Sequence, residues 1–309
     1  MATALRTSTV VFQLPHKGTW FENLAVRSDG TILATRVDTP EVWIIDPAKG
    51  TGSSLLKLPS PFISVTGITE LPEDVFALGA GQYDLAKGAV PGSFAIFAFS
   101  LEDGTDGAQA SLRKVVDTPD AGLINGLTTW DDASILAVDS THGFVYKIDV
   151  TAGTSALAFV DDLTKPTPDA FVPIGINGVK VRGGYVYFTN TARAAFFRVP
   201  VDPASAKPTG PIETVASGFA VDDFAFDADG AAYIVTHPQN TVVKVAPGSS
   251  EAVTIAGKAD SLELAGGTAC AFGKGAGDAR TLYVVTAGAL AVPVNGEIEP
   301  AKLAAIKLD

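Results

Sequence analysis

Six polar residues recur at similar intervals along the chain, each at the start of a short apolar segment. They are separated by 44, 59, 52, 45 and 46 residues and comprise Glu22, Thr66, Asn125, Asn177, Asp222 and Thr268. Two carboxylates and two amides at equivalent positions form an oxygen-rich set, which suits a hard cation such as Ca²⁺. The same pattern also fits polar residues that only cap strands and hydrate a channel, and the spacing leaves both interpretations open.

The three histidines fall in predicted loops at the same end of these segments: His16, His142 and His237. Imidazole suits proton transfer near neutral pH, although most histidines in surface loops are inert. Arg36 and Asn190 end the second apolar segment of their repeats. Arg36 is suited to neutralise an anionic or enolate-like oxygen, or to pair with Asp38.

Aromatic residues are common in the same predicted loops, at Trp20, Phe62, Tyr83 and Phe171. A pocket lined by such rings favours an apolar or aromatic ligand over a bare sugar or an inorganic ion. The alternative is that some of these rings pack between structural units.

The elements that position these residues follow from a repeat. Each of the six polar residues opens a short apolar strand, which is followed by a Gly or Asp turn and a β-branched or aromatic strand. A third strand and usually a fourth follow, at the length of one four-stranded propeller blade. No segment has sustained helical spacing. The sequence therefore predicts an all-β, six-bladed β-propeller.

We expect residues 1–309 to form one propeller domain with blades starting near 22, 66, 125, 177, 222 and 268. The sixth repeat ends after its third strand, so residues 8–14 (STVVFQL) are predicted to supply the fourth. This closure would remove an exposed sheet edge. The inner strands then start on one face, here called the top face, where the longer loops 81–93, 161–175 and 287–301 also gather. Long loops on a rigid scaffold commonly carry function.

Composition excludes several classes of function. The net charge of −12 argues against nucleic acid or an anionic membrane as a partner. No uncharged apolar run reaches the 18 residues of a membrane span, and the N-terminus lacks the apolar core of a signal peptide. A soluble, cytoplasmic protein is the expectation for the chain as written. The single cysteine, Cys270, rules out an internal disulfide and a cysteine-built zinc site.

These features resemble the gluconolactonase/regucalcin superfamily of six-bladed propellers, with more distant similarity to strictosidine synthase and paraoxonase. The resemblance rests on the six-blade register, Glu22 opening the first blade, the Asn-Gly pairs at 125–126 and 177–178, and Asp222. It implies a divalent metal, commonly calcium, held by Glu22, Asn177 and Asp222, with Asn125 as a further ligand or substrate contact and Asp222 as the base.

The chain departs from that superfamily in two places. Asn23-Leu24 follows Glu22 where Gly-Pro is usual, and Val221-Asp222-Asp223 stands where Pro-Asp-Gly is usual. Neither change removes a ligand, but both alter the backbone that aims it. The phrases FENLAVRSDG and VDDFAFDADG resemble a fungal branch linked to secondary metabolism, which includes hetero-Diels–Alderases that join a quinone methide to a terpene alkene.

The favoured hypothesis is a cyclase of natural-product biosynthesis that works on an apolar or aromatic small molecule without a cofactor. It assigns catalysis to Asn125, Asn177, Asp222, His237 and Arg36. Substrate binding is assigned to Trp20, Phe62, Tyr83, His142, Phe171, Asn190 and Thr268.

Two alternatives stay open. The first is a lactonase that depends on calcium or another divalent metal, and the second is a propeller that binds a small molecule or a protein without catalysis. A homodimer is compatible with the composition, and nothing in the sequence requires one.

Overall fold

Short β-branched segments separated by Gly and Asp turns produce a structure built from strands. The computed structural model describes residues 5–72, 74–104 and 107–308, and these residues contain no helix. Within this part of the chain, no helix that could cross a bilayer is therefore found. The strands form six four-stranded sheets and one small hairpin.

The first three complete sheets follow the chain directly after the N-terminal strand β1 (Ser8–Gln13). Blade 1 contains β2 (Phe21–Val26), β3 (Ile32–Arg36), β4 (Glu41–Asp46) and β5 (Thr51–Lys57). Blade 2 contains β6 (Ser64–Leu71), β7 (Val75–Gly81), β10 (Ala95–Gly104) and β11 (Gly107–Asp117), with the hairpin β8 (Tyr83–Asp84) and β9 (Gly88–Ala89) inserted. Blade 3 contains β12 (Ile124–Thr129), β13 (Ser134–Asp139), β14 (Phe144–Asp149) and β15 (Thr154–Phe159).

The remaining blades complete the ring and close it. Blade 4 contains β16 (Ile176–Arg182), β17 (Tyr185–Asn190), β18 (Ala195–Pro200) and β19 (Glu213–Ser217). Blade 5 contains β20 (Phe224–Phe226), β21 (Ala232–Thr236), β22 (Thr241–Val245) and β23 (Ala252–Gly257). Blade 6 contains β24 (Gly267–Phe272), β25 (Thr281–Thr286) and β26 (Lys302–Lys307), and β1 pairs with β26 as its fourth strand. The predicted six-bladed propeller, closed by its N-terminal strand, is confirmed.

The inner strands β2, β6, β12, β16, β20 and β24 contact one another in sequence order around the axis. Apolar side chains between adjacent blades are fully buried, including Phe21, Phe76, Phe188 and Phe224. The core is therefore divided into clusters that lie between neighbouring sheets and hold the inner strands at fixed positions.

Each of the inner strands of blades 1, 2, 3 and 4 has a shift in register near its start, between Phe21 and Leu24 in the first case. The residues at the shift include the polar residues of the repeat and, in three blades, the glycine that follows. A Cβ on Gly126 would lie 2.2 Å from the Asn177 carbonyl oxygen of the next blade. The Asn-Gly pairs therefore combine a polar side chain with a close approach of neighbouring strands.

Hydroxyl groups connect adjacent blades at the same level. Thr66 Oγ1 donates to the Ile124 carbonyl oxygen at 2.7 Å, and Thr268 Oγ1 donates to the Phe21 carbonyl oxygen at 2.7 Å. Ser140 Oγ donates to the Ile176 carbonyl oxygen at 2.6 Å. These bonds between blades hold in place the inner strands that carry the polar side chains.

Candidate active site

A cavity of about 300 Å³ opens at the top face, above the ring of inner strands. Five of the six recurring polar residues line it: Glu22, Thr66, Asn125, Asn177 and Asp222. The structure therefore brings side chains from five blades into one site. The sixth, Thr268, does not line the cavity, and its hydroxyl bonds to neighbouring backbone.

Glu22 occupies the side of the cavity nearest blade 1. Trp20 Nε1 donates to Glu22 Oε2 at 2.6 Å. Burial, with a smaller contribution from the charge of Asp223, raises the pKa of Glu22 from 4.5 to about 7, against the lowering effect of the Trp20 hydrogen bond. The carboxyl group is thus partly protonated at neutral pH.

Asp222 lies in the short segment before β20, and its carboxylate is held by the neighbouring blade. Asn177 Nδ2 donates to Asp222 Oδ1 at 2.9 Å and to Thr191 Oγ1 at 2.9 Å. Burial raises the pKa of Asp222 well above 3.8, and the nearby charges of Glu22 and Asp223 raise it further. The cavity thus contains two carboxyl groups whose pKa values are raised by burial and by the charge of neighbouring carboxylates.

Asn125 differs from every other polar residue of the recurring set. Its side chain is 5% exposed and lines the cavity. Among the described residues, its side-chain amide has no hydrogen-bond partner. The amide atoms are accessible from the cavity rather than sealed in the core, so a ligand or water can complete their hydrogen bonds. Asn125 therefore offers a donor and an acceptor to a ligand in the cavity.

His237 follows β21 and faces Asp222. The His237 Nδ1 to Asp222 Oδ2 distance is 3.9 Å, and the ring centroid lies 5.7 Å from that of Trp20. Burial lowers the pKa of His237 from 6.5 to about 4. The imidazole is neutral at pH 7, so the site contains no fixed positive charge on this side chain.

The walls above these polar groups are apolar. Three of the aromatic residues predicted to bind substrate line the cavity: Trp20, Tyr83 and Phe171. The Tyr83 pKa is raised by burial and by the charges of Glu22 and Asp222. Further lining residues come from loops and strand ends: Val37, Leu123, Val172, Ile174, Pro238, Ala291 and Val292.

Four further predicted site residues lie outside the cavity and are used locally. Arg36 bonds to Asp38 and lies 3.6 Å from a Glu41 oxygen. His142 Nδ1 is 2.7 Å from Asp139 Oδ2. Asn190 donates to two backbone carbonyls of the loop 161–175 and accepts from the Arg193 backbone. Phe62 packs edge-on against Phe97.

The cavity is closed from below by a second polar layer. Asp223 accepts from Lys180 Nζ at 2.8 Å and from Asn23 Nδ2 at 3.0 Å, which links blades 5, 4 and 1 across the axis. Asp223 is 2% exposed. A small molecule would therefore enter and leave the cavity through the top face.

Thr191 is the polar residue that the sequence analysis missed. Its hydroxyl accepts from Asn177 and donates to the Val221 carbonyl oxygen at 3.1 Å, so it orients the amide that holds Asp222. The available signal was its position directly after β17, where the second strand of blade 4 reaches the top face. Two apolar lining residues have similar positions. Leu123 directly precedes β12, and Ile174 lies two residues before β16.

A divalent cation would have to use oxygen atoms of Glu22, Asp222 and Asn177. Within the described residues, no group of three or more His, Cys, Asp and Glu side chains is arranged to hold a metal ion. An amide oxygen must therefore complete the set, and one oxygen of each carboxylate already accepts an N–H bond. Two buried carboxyls with raised pKa values nevertheless fit a cation, because its charge would offset their desolvation.

Two curated fungal proteins are similar in sequence to this chain. One is a candidate hetero-Diels–Alderase of Phoma sp, 28% identical over 305 residues, covering 89% of this chain and 85% of the relative. The other is a candidate hetero-Diels–Alderase of Sarocladium schorii, 26% identical over 319 residues, covering 90% and 77%. No protein-family model matches the chain.

Solved structures with the same fold include two of the expected superfamily. Regucalcin of Agrobacterium tumefaciens, a calcium-binding protein, aligns with a TM-score of 0.66 at 17% identity, over 100% of this chain and 98% of that one. A candidate gluconolactonase aligns with a TM-score of 0.64 at 15% identity, over 99% and 93%. The resemblance to regucalcin-type propellers and to the fungal branch is thus confirmed, and at this identity the structures show the fold alone.

Proposed function

We propose that this chain is a cyclase that joins an uncharged oxygen-containing heterodiene, such as a quinone methide, to an alkene by a hetero-Diels–Alder reaction. The observation that carries the proposal is the free amide of Asn125 at the base of a largely apolar cavity. The similarity to two candidate hetero-Diels–Alderases over about nine-tenths of the chain supports it. The setting would be natural-product biosynthesis.

The reaction suits the chemistry of this cavity. One carbon–carbon bond and one carbon–oxygen bond form between the heterodiene and the alkene, three π bonds become one, and no atom, proton or electron leaves. Acceleration therefore requires mainly that two reactants meet in the correct orientation, which is worth about 7–11 kcal/mol in favourable cases. Trp20 and Tyr83 line the cavity, and in this proposal their flat rings stack on the planar heterodiene.

Asn125 has a defined role in this mechanism. Electron density moves onto the carbonyl oxygen of the heterodiene as the new bonds form, and an N–H donor aimed at that oxygen lowers the barrier. The Asn125 amide is suited to this task because no protein acceptor in the described structure competes for it. The Asn177 amide is less available, since its Nδ2 is shared by Asp222 and Thr191.

The test uses an ortho-quinone methide released in situ from a 2-hydroxybenzyl precursor, with β-caryophyllene as the alkene. We expect product above the buffer rate with one diastereomer enriched relative to the reaction in buffer, and no loss of activity with chelator. Asn125→Leu, which keeps the volume and removes the donor, should lower the rate about 10- to 100-fold. Its thermal stability should be unchanged, because no hydrogen bond within the protein is lost.

Asn190→Leu is the matched control, since Asn190 is fully buried but makes three hydrogen bonds to backbone. It should lose stability while the folded fraction retains most of its activity. Product formed by the wild-type protein at the background rate and with the diastereomer ratio of the buffer reaction would overturn the proposal. Equal rates for the wild type and Asn125→Leu would remove the assigned role.

A metal-dependent lactonase is the second candidate, favoured by the two carboxyls and the amide at the cavity base. Glu22, Asn177 and Asp222 would hold the ion, which would supply Lewis-acid polarisation of a lactone carbonyl. Elemental analysis, with thermal unfolding in excess Ca²⁺ and in chelator, separates the candidates. Stoichiometric metal with a higher melting temperature would favour the lactonase, because a bound ion stabilises the folded state.

A propeller that only binds a small molecule would give neither cyclisation nor lactone hydrolysis. The expected binding partner is an apolar or aromatic small molecule in all three cases, because the walls of the cavity are the same. Saturable binding of the 2-hydroxybenzyl probe without turnover in either assay would favour this third candidate.

A further inference from the structure

A second depression adjoins the central cavity on the top face. This depression, here called the side groove, has a volume of about 500 Å³ and extends between the top loops of blades 4 and 5. The central cavity and the side groove share five lining residues: Phe171, Val172, Thr191, His237 and Pro238. The two spaces therefore adjoin, with these five residues forming the boundary between them.

We infer that the side groove is a second subsite, which binds the hydrocarbon portion of the alkene while the heterodiene occupies the central cavity. This inference rests on the proposed function and adds where each reactant lies. Its occupant is an uncharged hydrocarbon about the size of a sesquiterpene. The reacting double bond would lie at the shared wall, next to the oxygen-bearing partner.

The chemistry of the side groove supports a hydrocarbon. Its own residues are small or apolar: Ala170, Ala192, Ala194, Gly218, Phe219 and Ala220, with Gln239 as the added polar side chain. Gln239 Oε1 accepts from the Ala220 backbone at 3.2 Å, and the Thr191 hydroxyl is used by Asn177 and Val221. Among the residues that the structure describes, no Asp, Glu, Lys or Arg lines the side groove.

Backbone N–H groups of the side groove are also bonded within the protein. The Ala192 N–H donates to the Ile174 carbonyl oxygen at 2.8 Å, and the Gly218 N–H donates to the Ala194 carbonyl oxygen at 2.9 Å. These N–H groups offer no hydrogen bond to a ligand. Burial of apolar surface is therefore the main source of affinity here.

The central cavity has the opposite character at its base. Asn125, Asn177, Glu22 and Asp222 line the central cavity and do not line the side groove. A heterodiene with a carbonyl oxygen would therefore select the central cavity, and a pure hydrocarbon would lose nothing by avoiding these groups. This contrast assigns one reactant to each space.

Phe171 stands at the boundary between the two spaces. Its side chain is fully exposed and Val172 beside it is 44% exposed, and both line the central cavity and the side groove. An exposed apolar patch beside a pocket commonly marks a binding surface. A hydrocarbon in the side groove would cover this ring and bury apolar surface on both partners.

The test measures two probes by equilibrium dialysis: 2-(hydroxymethyl)phenol for the central cavity and β-caryophyllene for the side groove. Ala192→Trp fills the side groove, since Ala192 lines it and not the central cavity. We expect this variant to weaken caryophyllene binding at least tenfold and to change phenol binding less than twofold. Ala152→Trp, at an exposed bottom turn, is the matched control and should change neither.

Asn125→Leu should give the reverse pattern, with weaker phenol binding and unchanged caryophyllene binding. Saturating phenol should not raise the apparent Kd of caryophyllene, because the two ligands bind together. Competition between the probes, or equal losses for both in Ala192→Trp, would overturn the inference. So would caryophyllene binding in Ala192→Trp equal to that in Ala152→Trp.

These outcomes are separate from those of the proposed function. Cyclisation by a protein in which the two probes compete would refute the side groove as a subsite and leave the cyclase intact. Joint binding without cyclisation would support the two subsites and refute the cyclase.

Discussion

Asp222 and Asp223 are adjacent in the chain and face opposite sides of the same floor. Asp222 lines the cavity and accepts one hydrogen bond, from the Asn177 amide. Asp223 lies beneath and accepts from Lys180, from Asn23 and from the Phe224 backbone. The upper layer, which contains Asp222, therefore leaves hydrogen-bonding capacity unused. In the lower layer, which contains Asp223, the carboxylate is bonded by three groups of the protein.

Glu22 and Asn23 repeat this division on blade 1. Glu22 faces the cavity with a raised pKa, and Asn23 joins the lower network through Asp223. The difference shows that a functional site and a structural plug are built from neighbouring residues of the same strands. Which layer a residue joins is decided by the direction of its side chain at the start of the inner strand.

The largest expected effect is a difference in the free energy of unfolding between variants of the two aspartates. Asp223→Ala would leave the Lys180 ammonium without its partner and free the Asn23 amide, so we expect a loss of about 3 kcal/mol in the free energy of unfolding. Asp222→Ala removes one hydrogen bond and a carboxyl that burial already disfavours, and should change it by at most about 1 kcal/mol. Urea unfolding measures both, and equal losses would contradict the division into two layers.

A smaller effect concerns the pH dependence of stability. The Glu22 pKa is raised from 4.5 to about 7 on folding, so the folded state holds this proton more tightly than the unfolded state. The Glu22 contribution to stability therefore falls as the pH rises between about 4.5 and 7 and is constant above. Glu22→Gln removes this slope.

We accordingly expect the melting temperature of Glu22→Gln to exceed that of the wild type at pH 8, by more than it does at pH 4. The exposed Glu251→Gln is the control and should follow the wild type at both values. A constant difference between Glu22→Gln and the wild type across this range would mean that Glu22 does not titrate as described.

The smallest effect is expected at the lower mouth of the channel. Lys274 pairs with Glu70 there, and the Lys274 side chain is 47% exposed. Lys274→Gln should change the free energy of unfolding by at most about 1 kcal/mol, because exposed ion pairs contribute little. Cyclisation should be unchanged, and a large loss of activity would show that the site extends through the floor.

The fold was predictable because a propeller repeats its pattern six times. Glu22, Asn125 and Asn177 could each be placed in the cavity from their equivalent positions at the start of an inner strand. The closing strand β1 followed from the missing fourth strand of the last repeat. In each case, the repeat supplied the three-dimensional relation that a single segment lacks.

The local partners of side chains were less predictable. Arg36 and His142 lie near the top face as expected, but Asp38 and Asp139, two and three residues away, bind them. An acidic residue so close in sequence could have indicated that each cationic or imidazole side chain is paired locally. Thr191 and the side groove were missed because small residues after a second strand have no distinctive sequence pattern. These residues line a cavity only because the loops pack around them.

The pairing of β1 with β26 has a consequence for synthesis of the chain. Ser8 pairs with Ile306, so the first strand must wait for almost the whole chain before it finds its neighbour. At translation rates of about 5–20 residues per second, the delay is about 15–60 s. During that time β1 is an unpaired strand of a nascent protein, and the ring can close only after β26 has been synthesised.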